Sequence, residues 1–542
     1  MTSSTISQVR RTAKERFGHD RLLPGQAEAT AALLDGQDVL LVAPTGAGKS
    51  LVYQLAALLI EGPTVVVSPL LALQQDQIER IEESGADVHA VRISSAEGER
   101  ARDEALERLA AGDVEFLFLA PEQLANPEVA DRVAALRPSL VAVDEAHCVS
   151  AWGHDFRPDY LRLGDLLDEV VGASDARRVA MTATAAPPVR DDIRERLRLR
   201  QARTVVTGFA RDNLALRVVR VADEASQRQA VLDAVDAASG AGIVYCRTRP
   251  AAEEYAGLLA ERGRRPVVYH GGLGNRRREE AQQRFMDGEA DLIVATSAFG
   301  MGIDKPDIRF VVHAQIPESP DTYYQEVGRA GRDGEPADGV LVYRSEDLAL
   351  GRFFSAGVPK AADVARVVAA RDRLGAEPAA IAEATGFGRR KAGRLLNLVA
   401  QAEQTRQARQ AEEPDGAGDV VDAVRGLAEA RRSLERSRVD MMRGYAETDR
   451  CRADFLVGYF GEQLPDRCGV CDNCRAGTAP DPAVEQDAPF PVQSRVRHEE
   501  FGAGTVTDVE DDRLTVLFDD VGYRTLSVEV VLENELLRLE GE

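Results

Sequence analysis

Aromatic residues are scarce in this chain of 542 residues, at 5% of the total, and tryptophan occurs once, as Trp152. No apolar run approaches the roughly 18 to 20 residues that a helix needs to cross a bilayer, so no membrane-spanning helix is expected. The opening stretch MTSSTISQVRRTAKERF has no apolar core of the signal-peptide kind, and its RRTAKERF reads as an amphipathic helix. Six cysteines over this length exclude a secreted disulfide framework. Four of the six crowd into residues 451–474, which points to metal. Positive charge is also in deficit: 67 Lys and Arg stand against 90 Asp and Glu, a net charge of −23. That balance argues against phosphate affinity spread over the whole surface, although an acidic exterior can surround a basic groove. The expectation is a soluble, cytoplasmic protein without a membrane partner, divided into three or more domains because one core does not grow to this size.

What is present begins with DVLLVAPTGAGKSLV, residues 38–52. An apolar strand runs into Ala43-Pro-Thr45-Gly46-Ala47-Gly48-Lys49-Ser50, and an apolar helix follows. Small residues let backbone amides close around phosphate oxygens, and the helix N-terminus adds partial positive charge. Lys49 reaches the β and γ phosphates and the Ser50 hydroxyl ligates Mg²⁺ in such a loop. A phosphate loop of this kind needs a carboxylate at the end of a neighbouring strand. LVAVDEAH supplies it, with Leu140 to Val143 as the strand, Asp144 on the metal side and Glu145 placed to polarise the attacking water. Two acids on one strand end repel each other unless a divalent cation lies between them.

The DEAH string, the phosphate loop, Met181-Thr-Ala-Thr-Ala185 and Tyr324-Gln-Glu-Val-Gly-Arg-Ala-Gly-Arg-Asp333 together resemble a superfamily 2 helicase, and most closely the RecQ group of DNA helicases. DEAHCVSAWGHDFRPDY is similar to that group's aromatic-rich loop, ATSAFGMGIDKPDIRFVVH (295–313) to its fifth motif, and PGQAEA (24–29) to its nucleotide-reading motif. The resemblance runs through residues 17–345 and returns at 451–474. It implies an ATP-dependent enzyme that unwinds DNA by 3′ to 5′ translocation in repair or recombination, associated with the nucleoid and acting on single strands and duplex junctions. It implies that Gln26 hydrogen-bonds adenine, that Thr182 and Thr184 couple hydrolysis to domain movement, and that Arg329 and Arg332 reach the γ-phosphate from a second domain, with Arg332 the preferred finger. Asp304 is a coupling candidate on the same cleft. Trp152 is expected to stack on a base of single-stranded DNA. His154, Phe156 and Arg157 lie beside it, His154 and Arg157 reporting that occupancy to the DEAH strand. Read on chemistry alone, Trp152 equally suits a plug between the two motor domains. One departure stands out: Leu22-Leu23 replaces the family's Phe-Arg, so the guanidinium that packs on adenine is missing and base selectivity or ATP affinity is weaker.

Residues 240–345 repeat a strand–helix alternation, with apolar strands at 242–246, 266–270, 292–296 and 310–313, which reads as parallel α/β. Cys246 and Cys148 read as core residues. Cys451, Cys468, Cys471 and Cys474 form a C-x16-C-x2-C-x2-C pattern that suits a closed, structural Zn²⁺ site. Between Tyr343 and Cys451 the chain is longer than the family leads one to expect. Residues 362–402 carry a helix-turn-helix-like pattern, with a turn at Gly386–Gly388 and a second helix led by Arg389, Arg390, Lys391 and Arg394. It is either a duplex-binding module or a helical hairpin bracing the motor. Residues 403–418 and 476–491 read as linkers. The tail from Arg495 has alternating short strands and resembles the Tudor-like end domain of the UvrD/PcrA helicases. Its 13 acids against 5 Arg favour a protein partner over phosphate.

The expected fold class is α/β: two tandem RecA-like domains with parallel sheets, then a helical insertion, a zinc-binding module and a small C-terminal β-barrel. The expected boundaries are 1–208, 209–350, 351–418 for insertion and linker, 419–475 for the zinc module, 476–491 for the second linker and 492–542 for the barrel. Two other functions share parts of this pattern. One is an RNA helicase or remodeller with the same motor; the other is an adaptor that clamps DNA and recruits partners through its end domain.

Overall fold

A computed structural model describes residues 3–540 except 70, 86–87, 95–96, 151–159, 161–162, 173, 301–304, 350–356, 413–419, 481–488, 493, 510–511 and 520. The chain forms two compact units, one of residues 1–347 and 443–484, the other of residues 348–442 and 485–542.

The first unit holds two parallel sheets. Strands β1 (Val39–Val42), β2 (Thr64–Val67), β3 (Ala90–Ile93), β4 (Phe116–Leu119), β5 (Leu140–Val143), β6 (Arg177–Thr182) and β7 (Arg203–Val206) lie in the order β3-β4-β2-β5-β6-β1-β7. Their sequences, such as VLLV, TVVV and LVAV, are apolar without alternation because helices cover both faces; β1, β2, β4 and β5 are buried throughout. This order places β6 between β1 and β5, pairing Val42 with Thr182 and Val143 with Ala180. The carboxyl ends that carry the phosphate loop, the TAT segment and the two acids are therefore neighbours, the usual place for a ligand in an open α/β sheet. The N-terminal helix Ser3–Phe17 packs Val9 and Ala13 on Leu51 and Leu55 of the helix that follows the phosphate loop.

The second sheet comprises β8 (Leu214–Arg220), β9 (Ala241–Tyr245), β10 (Pro266–Tyr269), β11 (Leu292–Ala295), β12 (Ile308–His313) and β13 (Ala337–Tyr343), ordered β10-β11-β9-β12-β13-β8 and parallel throughout. Cys246 is buried among its helices, and Cys148 is buried in the first sheet's surroundings. The four-cysteine segment belongs to this first unit as well, through the helix Arg452–Tyr459 and the turn Asp472–Ala476.

In the second unit, helices Ala361–Leu374, Pro378–Thr385 and Arg389–Glu412 share a core of Val364, Val367, Ile381, Ala392, Leu395 and Val399, to which Val424 of the helix Val420–Glu447 adds. The turn falls at Gly386–Gly388, with Gly386 at φ 68° closing the preceding helix. The linker expected at 403–418 is corrected: residues 403–412 continue the third helix, because Gln, Glu, Ala and Arg are good helix formers however polar they are. Residues 413–419 lie outside the described residues. The tail forms β14 (Arg495–His498), β15 (Gly502–Val509), β16 (Arg513–Phe518), β17 (Gly522–Ser527) and β18 (Leu537–Leu539), an antiparallel sheet in the order β17-β16-β15-β14-β18. This five-stranded sheet is the small β domain expected at the end of the chain, and it packs around Val496, Val506, Val516, Phe518 and Val531. Phe490, inside the stretch expected to be the second linker, is buried in that core.

Candidate nucleotide cleft and zinc site

β1 delivers the chain into the phosphate loop under constraint, since Ala43 N still donates to Thr182 O at 3.1 Å. Gly46 and Gly48 take φ of 87° and 61°, left-handed values that cost glycine little, and the helix Ser50–Leu59 then starts with its N-terminus in the cleft. Lys49 Nζ donates to Ala43 O at 3.0 Å and to Pro44 O at 3.3 Å, and burial lowers its pKa against the pull of Glu145 and Asp144. Thr45 and Ala47 complete the loop between these points. Gln26 is buried and its amide is committed: Oε1 accepts from Leu23 N at 2.8 Å, while Nε2 donates to Ala47 O at 3.1 Å and Gly48 O at 2.9 Å. Leu23, standing where the resembled family has Arg, is 49% exposed beside this turn.

At the end of β5, Asp144 Oδ2 accepts from Gln77 Nε2 at 2.9 Å, and Gln77 Oε1 accepts in turn from Tyr53 OH at 2.5 Å. Burial and the adjacent Glu145 push the Asp144 pKa up to about 6, with Lys49 and Gln77 opposing. A buried acid with a raised pKa next to a second acid is what an oxygen-ligand cation site looks like before its charge is neutralised. Glu145 sits at φ 48°, ψ 46°, a left-handed conformation unusual for a residue with a side chain. Its Oε2 lies 3.3 Å from His147 Nδ1, which is 3.0 Å from Thr182 Oγ1. Thr182 Oγ1 in turn contacts both the carbonyl and the amide of Thr184, at 3.1 and 3.2 Å.

The second sheet's residues enter the same cleft. A Cβ placed on Gly46 would lie 3.4 Å from Arg332 Cγ, so the arginine is packed against the phosphate loop. Arg329 is buried nearby, its guanidinium 3.2 Å from where Gly300 would carry a Cβ. Gln325, on the helix Pro320–Val327, donates through Nε2 to Thr184 Oγ1 at 3.0 Å. Asp304, Trp152, His154, Phe156 and Arg157 lie outside the described residues.

Several residues that sequence reasoning did not single out hold this arrangement. Arg211 donates to the carbonyls of Gly328, Ala330 and Gly331, and Asn213 Nδ2 to Gly331 O and Glu335 O, so the loop bearing Arg329 and Arg332 is gripped from the connection between the sheets. Phe209 in that connection stacks on Phe460 with ring centroids 4.3 Å apart, donates its N–H to Glu462 Oε2 at 3.1 Å, and accepts from Tyr324 OH at 2.8 Å. Arg190 Nη2 donates to Phe460 O at 2.8 Å. The only available signal was composition, since FARDNL (209–214) is polar and charged where a bare linker would do.

Phe460 and Glu462 follow the helix that begins after Cys451. The sulfurs of Cys451, Cys468, Cys471 and Cys474 all lie within 4.8 Å of one another, with Cys468 Sγ and Cys474 Sγ 3.9 Å apart. A tetrahedron with Zn–S of about 2.3 Å sets its sulfurs about 3.8 Å apart, whereas a disulfide needs about 2.05 Å. The four thiolates fit Zn²⁺ and leave no open position. Asp472 in the cysteine turn accepts from Val218 N of the edge strand β8 at 2.9 Å and from buried Arg452 Nε at 2.6 Å, fastening the knuckle to the second sheet.

Models of known families match in the order this geometry suggests: a DEAD/DEAH box helicase over residues 23–193, a helicase conserved C-terminal domain over 226–334 and a RecQ zinc-binding domain over 391–475. The ATP-dependent DNA helicase RecQ of Bacillus subtilis is 33% identical over 527 residues, covering 96% of this chain and 76% of that protein. The chain belongs to the RecQ family of ATP-dependent DNA helicases. The probable ATP-dependent DNA helicase RecS of the same organism is 38% identical over 368 residues, 67% of this chain and 73% of that one. Among solved structures, the helicase Lhr of Mycobacterium smegmatis bound to ssDNA and AMP-PNP aligns with a TM-score of 0.52 at 23% identity, over 73% of this chain and 58% of that one, a likeness of fold. As a RecQ-family member, the chain is an ATP-driven DNA helicase with a zinc-binding module. Among the described residues no helix is long and apolar enough to cross a membrane.

Proposed function

We propose that this RecQ-type helicase hydrolyses ATP between its two sheets and translocates 3′ to 5′ along one DNA strand, opening duplexes and junctions in repair or recombination at the nucleoid. The observation that carries the reading is Arg332 packed on Gly46, a cation of one lobe resting on the phosphate loop of the other. Thr45 to Ser50 would cradle the phosphates, with Lys49 releasing its two carbonyls to meet them. Ser50 and Asp144 would hold Mg²⁺, which when bound supplies charge neutralisation to the phosphoryl oxygens. Glu145 orients the attacking water, held in its left-handed turn by His147. Arg329 and Arg332 meet the charge that develops at the γ-phosphate. Gln26 would read adenine by releasing the loop carbonyls that its Nε2 holds, so base recognition and loop order are linked, and Leu23 lends only apolar contact.

Trp152, with His154, Phe156 and Arg157, follows the DEAH strand by a few residues and is proposed to sense a DNA strand by stacking; Asp304 is proposed to relay closure. Residues 492–542 offer an acidic surface for a protein partner. The test is ATP turnover and strand displacement on duplexes with a 3′ or a 5′ overhang, alongside RNA. Single-stranded DNA is expected to raise ATPase and only the 3′ overhang to be unwound, with Arg332→Ala lowering kcat by about 10³-fold. Turnover indifferent to DNA, or unwinding from the 5′ overhang, overturns the proposal.

A further inference from the structure

Residues 361–402 fall largely between the helicase C-terminal match, which ends at 334, and the zinc-binding match, which begins at 391. Their three helices form a small bundle whose second and third members meet through the three-residue turn Gly386–Gly388. That is the geometry of a helix-turn-helix reader, in which the third helix is presented outward by the other two.

The outward face of that helix is specific in composition. Ala392, Leu395, Leu396, Leu398, Val399 and Ala402 are buried. Arg390, Arg394 and Asn397 are exposed and stand at i, i+4 and i+7, one stripe on the opposite side. Two of the four cations that lead the helix have a partner within the unit while staying exposed: Lys391 Nζ pairs with Asp363 at 2.7 Å and lies 4.0 Å from the Phe387 ring centre, and Arg394 Nη2 donates to Gly357 O at 2.7 Å. The stripe presents two guanidiniums and one amide, side chains that contact phosphates and the edges of guanine and adenine in a major groove, and Arg394 keeps further N–H donors beside the one given to Gly357. Gly393 and Ala400 flank it, so no bulk blocks close approach.

Charge supports the same occupant. Residues 361–402 carry seven Lys and Arg against four Asp and Glu in a chain of net charge −23, and no acid lies between Glu383 and Glu403. In the same unit the sheet from Arg495 has 13 acids against 5 Arg. A polyanion is attracted to one module and repelled by the other.

We infer that the bundle of residues 361–402 is a duplex-DNA binding site, separate from the motor cleft, which engages DNA through Arg390, Arg394 and Asn397. The site does not depend on the assignment of cleft residues, and the experiment separates the two. Anisotropy binding of the full-length protein to a short blunt B-form duplex, single-stranded DNA and an RNA duplex is measured over a range of salt. Arg390→Glu/Arg394→Glu is expected to weaken duplex DNA binding by about 10-fold or more and to reduce the salt slope by about 2, one for each phosphate that an arginine no longer neutralises. Its single-strand-stimulated ATPase is expected to stay unchanged, and Arg390→Lys/Arg394→Lys to keep the slope. If the charge reversal misfolds by circular dichroism, Arg390→Gln/Arg394→Gln gives the same readout. Unchanged duplex affinity, equal loss for single strands, or equal affinity for the RNA duplex, whose deep narrow groove excludes a helix, overturns the inference.

Discussion

Gln325 Nε2 donates to Thr184 Oγ1 at 3.0 Å, joining the second sheet's Pro320–Val327 helix to the segment that ends β6. From Thr184 the chain of neighbours continues through Thr182 and His147 to Glu145, each step 3.3 Å or shorter. A movement of the second lobe that breaks the first bond therefore alters what holds the carboxylate at the head of the cleft.

Gln325→Ala is expected to lower DNA-stimulated kcat by up to about 10-fold while KM for ATP changes little, because one hydrogen bond contributes about 0.5–1.5 kcal/mol and the bond lies away from the nucleotide. Thr184→Ala is expected to give a similar loss, and the double variant no more than either alone. A double-mutant cycle in steady-state ATPase measures this; additive losses would show that the two residues act separately.

Arg211 donates to three carbonyls of the Gly328–Gly331 turn, which leads into Arg332. Arg211→Ala is expected to reduce kcat in the manner of Arg332→Ala, though by less, and Arg211→Lys to restore only part of it because an ammonium cannot span the three acceptors. Stopped-flow ATP hydrolysis with saturating DNA checks this. Wild-type kcat in both variants would limit Arg211 to a structural role.

Phe460 is fully buried against Phe209. Phe460→Ala is expected to cost about 3–5 kcal/mol of stability and to remove the ring stack that holds the connection between the sheets. Chemical denaturation gives the first number, and the DNA-stimulated to basal ATPase ratio reports the second. Phe460→Leu, which keeps apolar volume without the stack, is expected to recover stability more fully than that ratio.

Zinc is expected at one ion per chain. Chelation or Cys471→Ser is expected to lower Tm, because the Asp472–Val218 and Glu462–Phe209 hydrogen bonds both hang from the cysteine-bound segment. Metal analysis and thermal unfolding with and without chelator check it; a folded, metal-free protein with unchanged Tm would show that the four thiols need no ion.

The chemistry of the cleft was legible where it is local. The phosphate loop, the acidic pair and the cysteine spacing each lie in a short stretch whose backbone does the positioning, and unbroken apolar runs revealed strands buried on both faces. The linkers were less legible because polarity resembles disorder: residues 403–412 are polar and helical, and Phe490 is anchored in a core. The end domain was read from strand spacing, which revealed its short strands but not the order in which they pair.

From residue types in order, this protein was already determined to be a two-lobed nucleotide-driven motor with a thiolate metal site. Only the tertiary structure decided which residues hold it together. Gln325 meets Thr184 across 141 positions, Phe209 meets Glu462 across 253, and Lys391 pairs with Asp363 across 28. Such pairs leave no local signature because neither partner's backbone needs the other until the sheets have packed. A hydrogen bond between distant segments is selected by closure of the fold, whereas a glycine turn or a cysteine pair is selected by the few residues around it.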